Sequence, residues 1–204
     1  MGRTKALLPL PGGGCFLTRL ASTLSAAGIE RIIAVVGYDS AAIRAAVGGD
    51  HGGRPGVNVA AAGHSRRAAL HLVENPDPTR GQLSSLVAGL DSLEPEPHSA
   101  VLVTTVDLPL VVAATVRRVL DAWRASGAAI VRPARAGRHG HPVIFGAALF
   151  AELRAADASE GARAVLRAHA GEILDVPVDD PGAFDDIDTP ADYERLTGLP
   201  FPHL

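Results

Sequence analysis

Only one cysteine, Cys15, occurs in 204 residues. That excludes any internal disulfide and fits a reducing cytoplasm, where an unpaired thiol is usually a small apolar side chain. Long hydrophobic runs are missing as well. The longest apolar stretch, Ala100 to Val116, is interrupted by Asp107 and Pro109 and is too broken to cross a bilayer. At the start, Arg3 and Lys5 are followed by Pro9, Pro11 and three glycines, which leaves no continuous apolar segment of the secretory type. The expectation is a cytoplasmic chain with no membrane partner. Basic charge is not in excess either: 19 Lys and Arg stand against 22 Asp and Glu, a net charge of -3, so the chain has no electrostatic footprint for nucleic acid. A small anionic ligand would have to be met by local cations. There is no internal repeat, and the glycines at Gly12 to Gly14 do not form a GxGxxG fingerprint.

What is present is a 47% hydrophobic, 20% charged composition, enough to bury a substantial core in a single domain over residues 1–204. Val- and Ile-rich runs alternate with segments of helical period, which predicts an α/β layered fold with a mostly parallel sheet. Phe16, Leu17, Leu20 and Leu24 recur at helical spacing, predicting a helix over Cys15 to Ala27 closed by Gly28. A strand at Arg31 to Val36 and a helix at Asp39 to Val47 follow. Asp50 to Pro55 reads as a polar loop. Val57 to Gly63 and Ala69 to Val73 both have strand character and the sequence does not choose between them; HSRR between them has no reading. Gln82 to Leu90 presents Leu83, Leu86 and Leu90 on one face of a short helix. Ala100 to Val106 is the clearest strand. Helices at Ala113 to Ala125, Ala147 to Ala155 and Glu160 to Ala170 alternate with strands at Ala129 to Arg132, Val143 to Phe145 and Ile173 to Val178, and a last helix follows Pro190.

Four segments carry chemistry. VLVTTVDLP sets Asp107 after an apolar strand, where open α/β sheets bind ligands; such a carboxylate needs hydrogen bonds, a counter-charge or a cation, although it could also cap the next turn. In FDDIDTPADYERL, Thr189, Pro190 and Asp192 explain the helix start as a capping box. That leaves Asp185, Asp186 and Asp188 crowded together, either as a solvated acidic turn or as carboxylates that invite a divalent metal. TRGQLSSL offers Gly81, Gln82, Ser84 and Ser85 at a helix start, where free N–H groups accept anions or base carbonyls, and where serines also cap. GRHGHPVIF places Arg138, His139 and His141 in a glycine-broken loop that could cradle an anion.

Taken together, MGRTKALLPL, NPDPTRGQLSSLVAGL, VTTVDLPLV, GRHGHPVIF, EGARAVLRAH and DIDTP resemble, in order and nearly end to end, the blocks of the MobA-like nucleotidyltransferases, most closely the molybdenum cofactor cytidylyltransferases. The resemblance implies a three-layer Rossmann-like fold with helices on both faces of the sheet. It implies Lys5 and Asp107 as catalytic residues, with Asp107 and Asp188 holding Mg²⁺. Gly2, Arg3, Lys5, Gly81, Gln82, Ser84 and Ser85 would then lie along the nucleotide, and Arg138, His139 and His141 toward a phosphate-bearing acceptor. The implied substrates are CTP or GTP, with GQLSSL and GHPV favouring CTP, and a molybdenum enzyme is an implied partner. One departure stands out. The family's first strand and the LAAGxSxR half of its loop have no counterpart before MGRTK. In such folds that strand lies between the strands corresponding to Arg31–Val36 and Ala100–Val106, so both should be left with an unpaired edge. A start codon assigned too late is the preferred account over a truncation or a degenerate, inactive relative. The rival activities are guanylyl transfer, NAD(P)H-dependent oxidoreduction of the kind labelled nicotine blue oxidoreductase, and non-catalytic nucleotide binding.

Overall fold

The computed structural model describes residues 4–47, 68–93, 98–157 and 160–202, with the backbone of residues 57–59. In chain order the elements are α1 (Phe16–Ala26), β1 (Arg31–Val36), α2 (Ser40–Val47), β2 (Val57–Val59), β3 (Ala68–Glu74), α3 (Gln82–Asp91), β4 (Ala100–Val103), α4 (Ala113–Ser126), β5 (Ile130–Arg135), β6 (Arg138–His139), β7 (Val143–Gly146), α5 (Phe150–Ala155), α6 (Ala162–Ala168), β8 (Ile173–Pro177) and α7 (Pro190–Thr197). Both segments between which the sequence did not choose are strands, β2 and β3. The expected loop at 50–55, HSRR, Gly2 and Arg3 lie outside the described residues. The strand expected over Ala100 to Val106 ends at Val103, because the chain turns there toward Asp107.

Strand alternation builds the layers. On β5, Ile130 packs with Val143 and Phe145 of β7 under Leu90 of α3, Leu153 of α5 and Val165 of α6. The next residues, Val131 and Ile144, point to the other face and pack with Leu20 and Leu24 of α1 and Val116, Val119 and Leu120 of α4. Helices therefore cover both faces, and the three-layer α/β expectation holds. The pairings are mixed rather than mostly parallel: β1–β3 and β5–β8 run parallel, while β2–β3, β4–β7, β5–β6 and β5–β7 run antiparallel. The reason is local. A tight turn at Ala136 and Gly137 (φ 49° and 78°) sends β6 back along β5, and β7 then inserts between β5 and β4.

The sheet is in two parts, β1-β3-β2 and a five-stranded part in which β4 is an edge. Both strands expected to lose a partner have done so among the described residues: β1 pairs β3 alone and β4 pairs β7 alone. Glu30 and Val36 accept from the β3 side, so the alternate residues Ile33 and Val35 direct their backbone groups away from it. On β4, where Ser99 O accepts from Ala147, the outward groups are those of Ala100 and Leu102. All four side chains of β4 are only half-buried. Hydrogen exchange followed by NMR should find the amides of Ile33, Val35, Ala100 and Leu102 exchanging at least ~100-fold faster than those of Ile32, Ala34, Val101 and Val103. Uniform protection along either strand would mean that its outer edge is covered.

On the far side, His169 after α6 lies 2.8 Å from Glu152 of α5 and 3.4 Å from Glu172. The hydrogen bond to Glu152, helped by the nearby Glu172 carboxylate, raises the imidazole above its ordinary value against the opposing effect of burial. A raised folded-state value means stabilisation that is complete below the unfolded value and is lost as pH rises through the folded one. His169→Gln should therefore melt below the wild type at pH 6, and the gap should close by pH 9 in a melting series. A gap independent of pH would assign His169 a packing role alone.

Candidate active site

The site is assembled from the two ends of the described chain. Leu8, Leu10 and Phe16 from the first segment pack with Ile187, Tyr193 and Phe201 from the last, and Val106 and Leu110 lie against the same cluster. Phe16 stacks on Tyr193 with ring centroids 6.1 Å apart, Phe201 meets Tyr193 edge-on at 5.5 Å, and the Tyr193 hydroxyl donates to Pro9 O at 2.8 Å. This apolar knot binds the LLPLPGGG loop to α7 and so fixes where Lys5 sits. Helix α7 starts at the expected capping box: Thr189 Oγ1 accepts from Asp192 N and Asp192 Oδ2 from Thr189 N, both at 3.1 Å. The hydrogen bonds from Thr189 and Arg195 hold the Asp192 carboxyl down at about 2.

Three of the expected residues come together here. Lys5 Nζ donates to Asp188 Oδ1 at 2.5 Å, and this hydrogen bond holds the Asp188 carboxyl below its ordinary value. One residue earlier, Ile187 N donates to Asp107 O at 2.9 Å, so the backbone ties the DLP turn to the DID segment. Asp107 Oδ1 is buried with no hydrogen-bond partner. A buried carboxylate oxygen without a partner is costly and points to a cation that the protein itself does not supply. Asp186 adds a third carboxylate: burial, and then the charge of Asp188, push it up, with Asp107 acting in the same direction.

The other expected residues are distributed around this centre. Gly81 (φ 83°, ψ -170°) begins α3 in a conformation that only glycine adopts easily, and Gln82 follows it into solvent. Ser84 and Ser85 face inward and accept from the side-chain amide of Asn75 at 2.8 and 3.0 Å. Arg138, His139 and His141 are not gathered on one another. Arg138 donates to Phe184 O at 2.7 Å and to Asp185 Oδ1 at 3.0 Å, with its guanidinium over the Phe184 ring. His139 lies 3.3 Å from Asp175, which also pairs with Arg132. His141 turns inward: its N–H donates to Ala183 O at 2.9 Å and its Nδ1 lies 3.3 Å from Val103 O. Burial lowers its ionisation, against the hydrogen bond to Val103 O and the charge of Asp107, so the ring is neutral at pH 7.

Sequence reasoning missed three residues that organise the site. Buried Asp180 accepts from Gly182 N and Val112 N, both at 3.0 Å, and so joins the segment before DID to the segment after DLP. Buried Asn75 holds the serines. Asp39, in the left-handed region at φ 60°, accepts from the Thr4 hydroxyl beside Lys5. The Asp-Pro and Asn-Pro pairs at 180–181 and 75–76 are turn signals, but nothing in them reveals the distant partners.

Among the described residues no three His, Cys, Asp or Glu side chains form a protein cage for a metal ion. Mg²⁺ rarely needs one: it retains several waters and is held by one or two carboxylates together with substrate phosphates. Asp107, with its unpartnered oxygen, and Asp188 fit that donor set. No helix among the described residues is long and apolar enough to cross a membrane.

The layered α/β domain thus gathers a lysine and carboxylates by the turn after a strand, where open α/β sheets bind ligands. The family model of the MobA-like NTP transferase domain matches residues 1–173, and the chain belongs to that family. It is a nucleotidyltransferase. Among solved structures it is similar to Rv0371c from Mycobacterium tuberculosis H37Rv in complex with manganese, at 28% identity over 97% of this chain and 94% of that one, with a TM-score of 0.67. A nucleotidyl transferase from Methanothermobacter shares the fold at 22% identity and a TM-score of 0.72, over 95% and 83% of the two chains. So does the molybdopterin-guanine dinucleotide biosynthesis protein A of Archaeoglobus fulgidus, at 14% and 0.64, over 97% and 90%. Comparison with curated proteins finds no match.

Proposed function

We propose that the protein transfers a nucleoside monophosphate, CMP in preference to GMP, from the nucleoside triphosphate to a phosphate-bearing acceptor of the molybdopterin cofactor type, releasing pyrophosphate. The observation that carries this reading is the unpartnered oxygen of Asp107, tied through Ile187 to an Asp188 that Lys5 already neutralises. In the reaction an acceptor phosphate oxygen forms a bond to the α-phosphorus. The bond from that phosphorus to the bridging oxygen breaks, and its electron pair leaves with pyrophosphate. A phosphate monoester is largely ionised near pH 7, so the nucleophile needs no general base. Positioning and charge neutralisation supply most of the rate.

Lys5 is the side chain that would meet the phosphates, leaving Asp188 as they arrive. Asp107 and Asp188 would hold Mg²⁺, which when bound neutralises phosphate oxygens; that the similar Rv0371c was solved in complex with manganese supports the use of a divalent ion. Gly81, Gln82 and Ser85, with Gly2 and Arg3, are the residues assigned to the nucleotide, and of Arg138, His139 and His141 only His141, which feels the charge of Asp107, is assigned to the acceptor side. A molybdenum enzyme would receive the product. The test is pyrophosphate release by the purified chain with Mg²⁺, molybdopterin and either CTP or GTP. Magnesium-dependent release with CTP is expected. Preference for GTP overturns the choice of base, and no release with either nucleotide overturns the transferase reading of this site.

A further inference from the structure

Asn75 stands just past β3, 4% exposed, and every polar atom of its side chain is committed. Its Oδ1 accepts from Asp77 N at 3.0 Å, and this fixes which way the amide faces. Its Nδ2 therefore donates to Ser84 Oγ at 2.8 Å and to Ser85 Oγ at 3.0 Å. The backbone is anchored too, since Asn75 N donates to Val36 O at 2.7 Å at the end of β1.

The two serines are left in different states. Both oxygens serve as acceptors for the amide, so each hydroxyl proton must go elsewhere. That of Ser84 goes to Gly81 O at 2.7 Å, with Asp77 O at 3.2 Å behind it. Ser84 is thus spent on closing the turn. Ser85, half-buried in the first turn of α3, makes its hydrogen bond to Asn75 and has no acceptor for its own proton among the described residues.

We infer that Asn75 is a positioning residue for the nucleotide: it holds Ser85 as a pure donor toward an acceptor oxygen or ring nitrogen of the nucleoside triphosphate, while Ser84 serves the turn alone. The inference rests on the transferase reading and sharpens it, because it divides two neighbouring serines into one ligand and one structural group. A side chain of the same size but opposite polarity at position 75 accepts from the serines instead of donating, which turns the Ser85 proton inward.

The test uses the full chain with CTP and with GTP, measuring nucleotide KM and kcat beside a thermal melt. Ser85→Ala should raise the nucleotide KM about fivefold to tenfold with kcat nearly unchanged, the loss of one neutral hydrogen bond. Asn75→Asp should raise KM at least as much, and the double variant Asn75→Asp/Ser85→Ala no further than Asn75→Asp alone. Ser84→Ala should shift the nucleotide KM much less than Ser85→Ala does and lower the melting temperature. A wild type that turns over nucleotide while Ser84→Ala and Ser85→Ala shift KM equally, or while Asn75→Asp keeps the wild-type KM, overturns the inference and leaves the transferase reading intact. A wild type that neither binds nor turns over a nucleoside triphosphate overturns both. If Asn75→Asp fails to fold, the contrast between the two serine variants decides alone.

Discussion

Asp107→Asn should lower the rate of pyrophosphate release by about 10²–10³ and leave the melting temperature unchanged or slightly raised. The two halves of that expectation have separate physical causes. Asp107 is tied to the fold through its carbonyl, which accepts from Ile187 N, and the substitution does not touch the backbone. Its Oδ1 is buried and unpartnered, so the folded protein loses no hydrogen bond there when the charge is removed, and a desolvated anion is replaced by a neutral group of the same shape. What disappears is the negative charge that would fix a cation against the transferring phosphate, and loss of one such electrostatic contribution costs about 10²–10³ in turnover. Steady-state pyrophosphate release paired with a melting curve reads both quantities. Wild-type turnover in the variant would remove Asp107 from the chemistry. A fall in melting temperature of several degrees would mean that the carboxylate has an internal partner.

Much of this was legible in the sequence, and the boundary follows the range of the interactions. The strand at Arg31 to Val36 and the capping box at Thr189 are set by neighbours within a few residues, and both stand where they were read. The six ordered blocks led to the family and to the two strands that lack a partner. The direction of the pairings was not legible, because it depends on a hairpin turn at Ala136 and Gly137 that composition does not mark. Within the site, Lys5, Asp107 and Asp188 were named singly. That Lys5 pairs with Asp188 is a contact across 183 positions of sequence, created by an apolar knot of Phe16, Tyr193 and Phe201. Asn75 and Asp180 were invisible for the same reason: a buried polar side chain is recognised by what it holds, and their main partners lie up to 68 positions away. The GRHGH loop read as one cradle, but β-strand alternation sends Arg138 and His139 to opposite faces, and His141 beyond them turns into the core.

Gly182→Ala should be strongly destabilising, costing about 4 kcal/mol and roughly 8–16 °C in melting temperature. The backbone conformation at Gly182 is not the obstacle. A Cβ there would lie 2.3 Å from Leu110 O, 2.4 Å from Leu110 C and 2.8 Å from Val111 N, all of them main-chain atoms that no rotamer change can move. Neither strand of backbone can retreat cheaply. Asp180 grips both with its two carboxylate oxygens, through Gly182 N on one side and Val112 N on the other, so separating them breaks a buried, charge-assisted hydrogen bond and leaves a donor or acceptor unsatisfied. The damage should also reach the chemistry. Residues 110–112 continue the turn that carries Asp107, and Ala183, next to Gly182, accepts from the N–H of His141. Gly171→Ala is the internal control: no atom lies within 4 Å of its Cβ position and its φ is not positive, so its melting temperature should stay within about 2 °C of the wild type. Thermal melts of the two variants with pyrophosphate release measured below both transitions separate the effects. If Gly182→Ala melts with Gly171→Ala, the contact between the 180–184 segment and the DLP turn is looser than the close approach at Leu110 requires, and the site is not held together there.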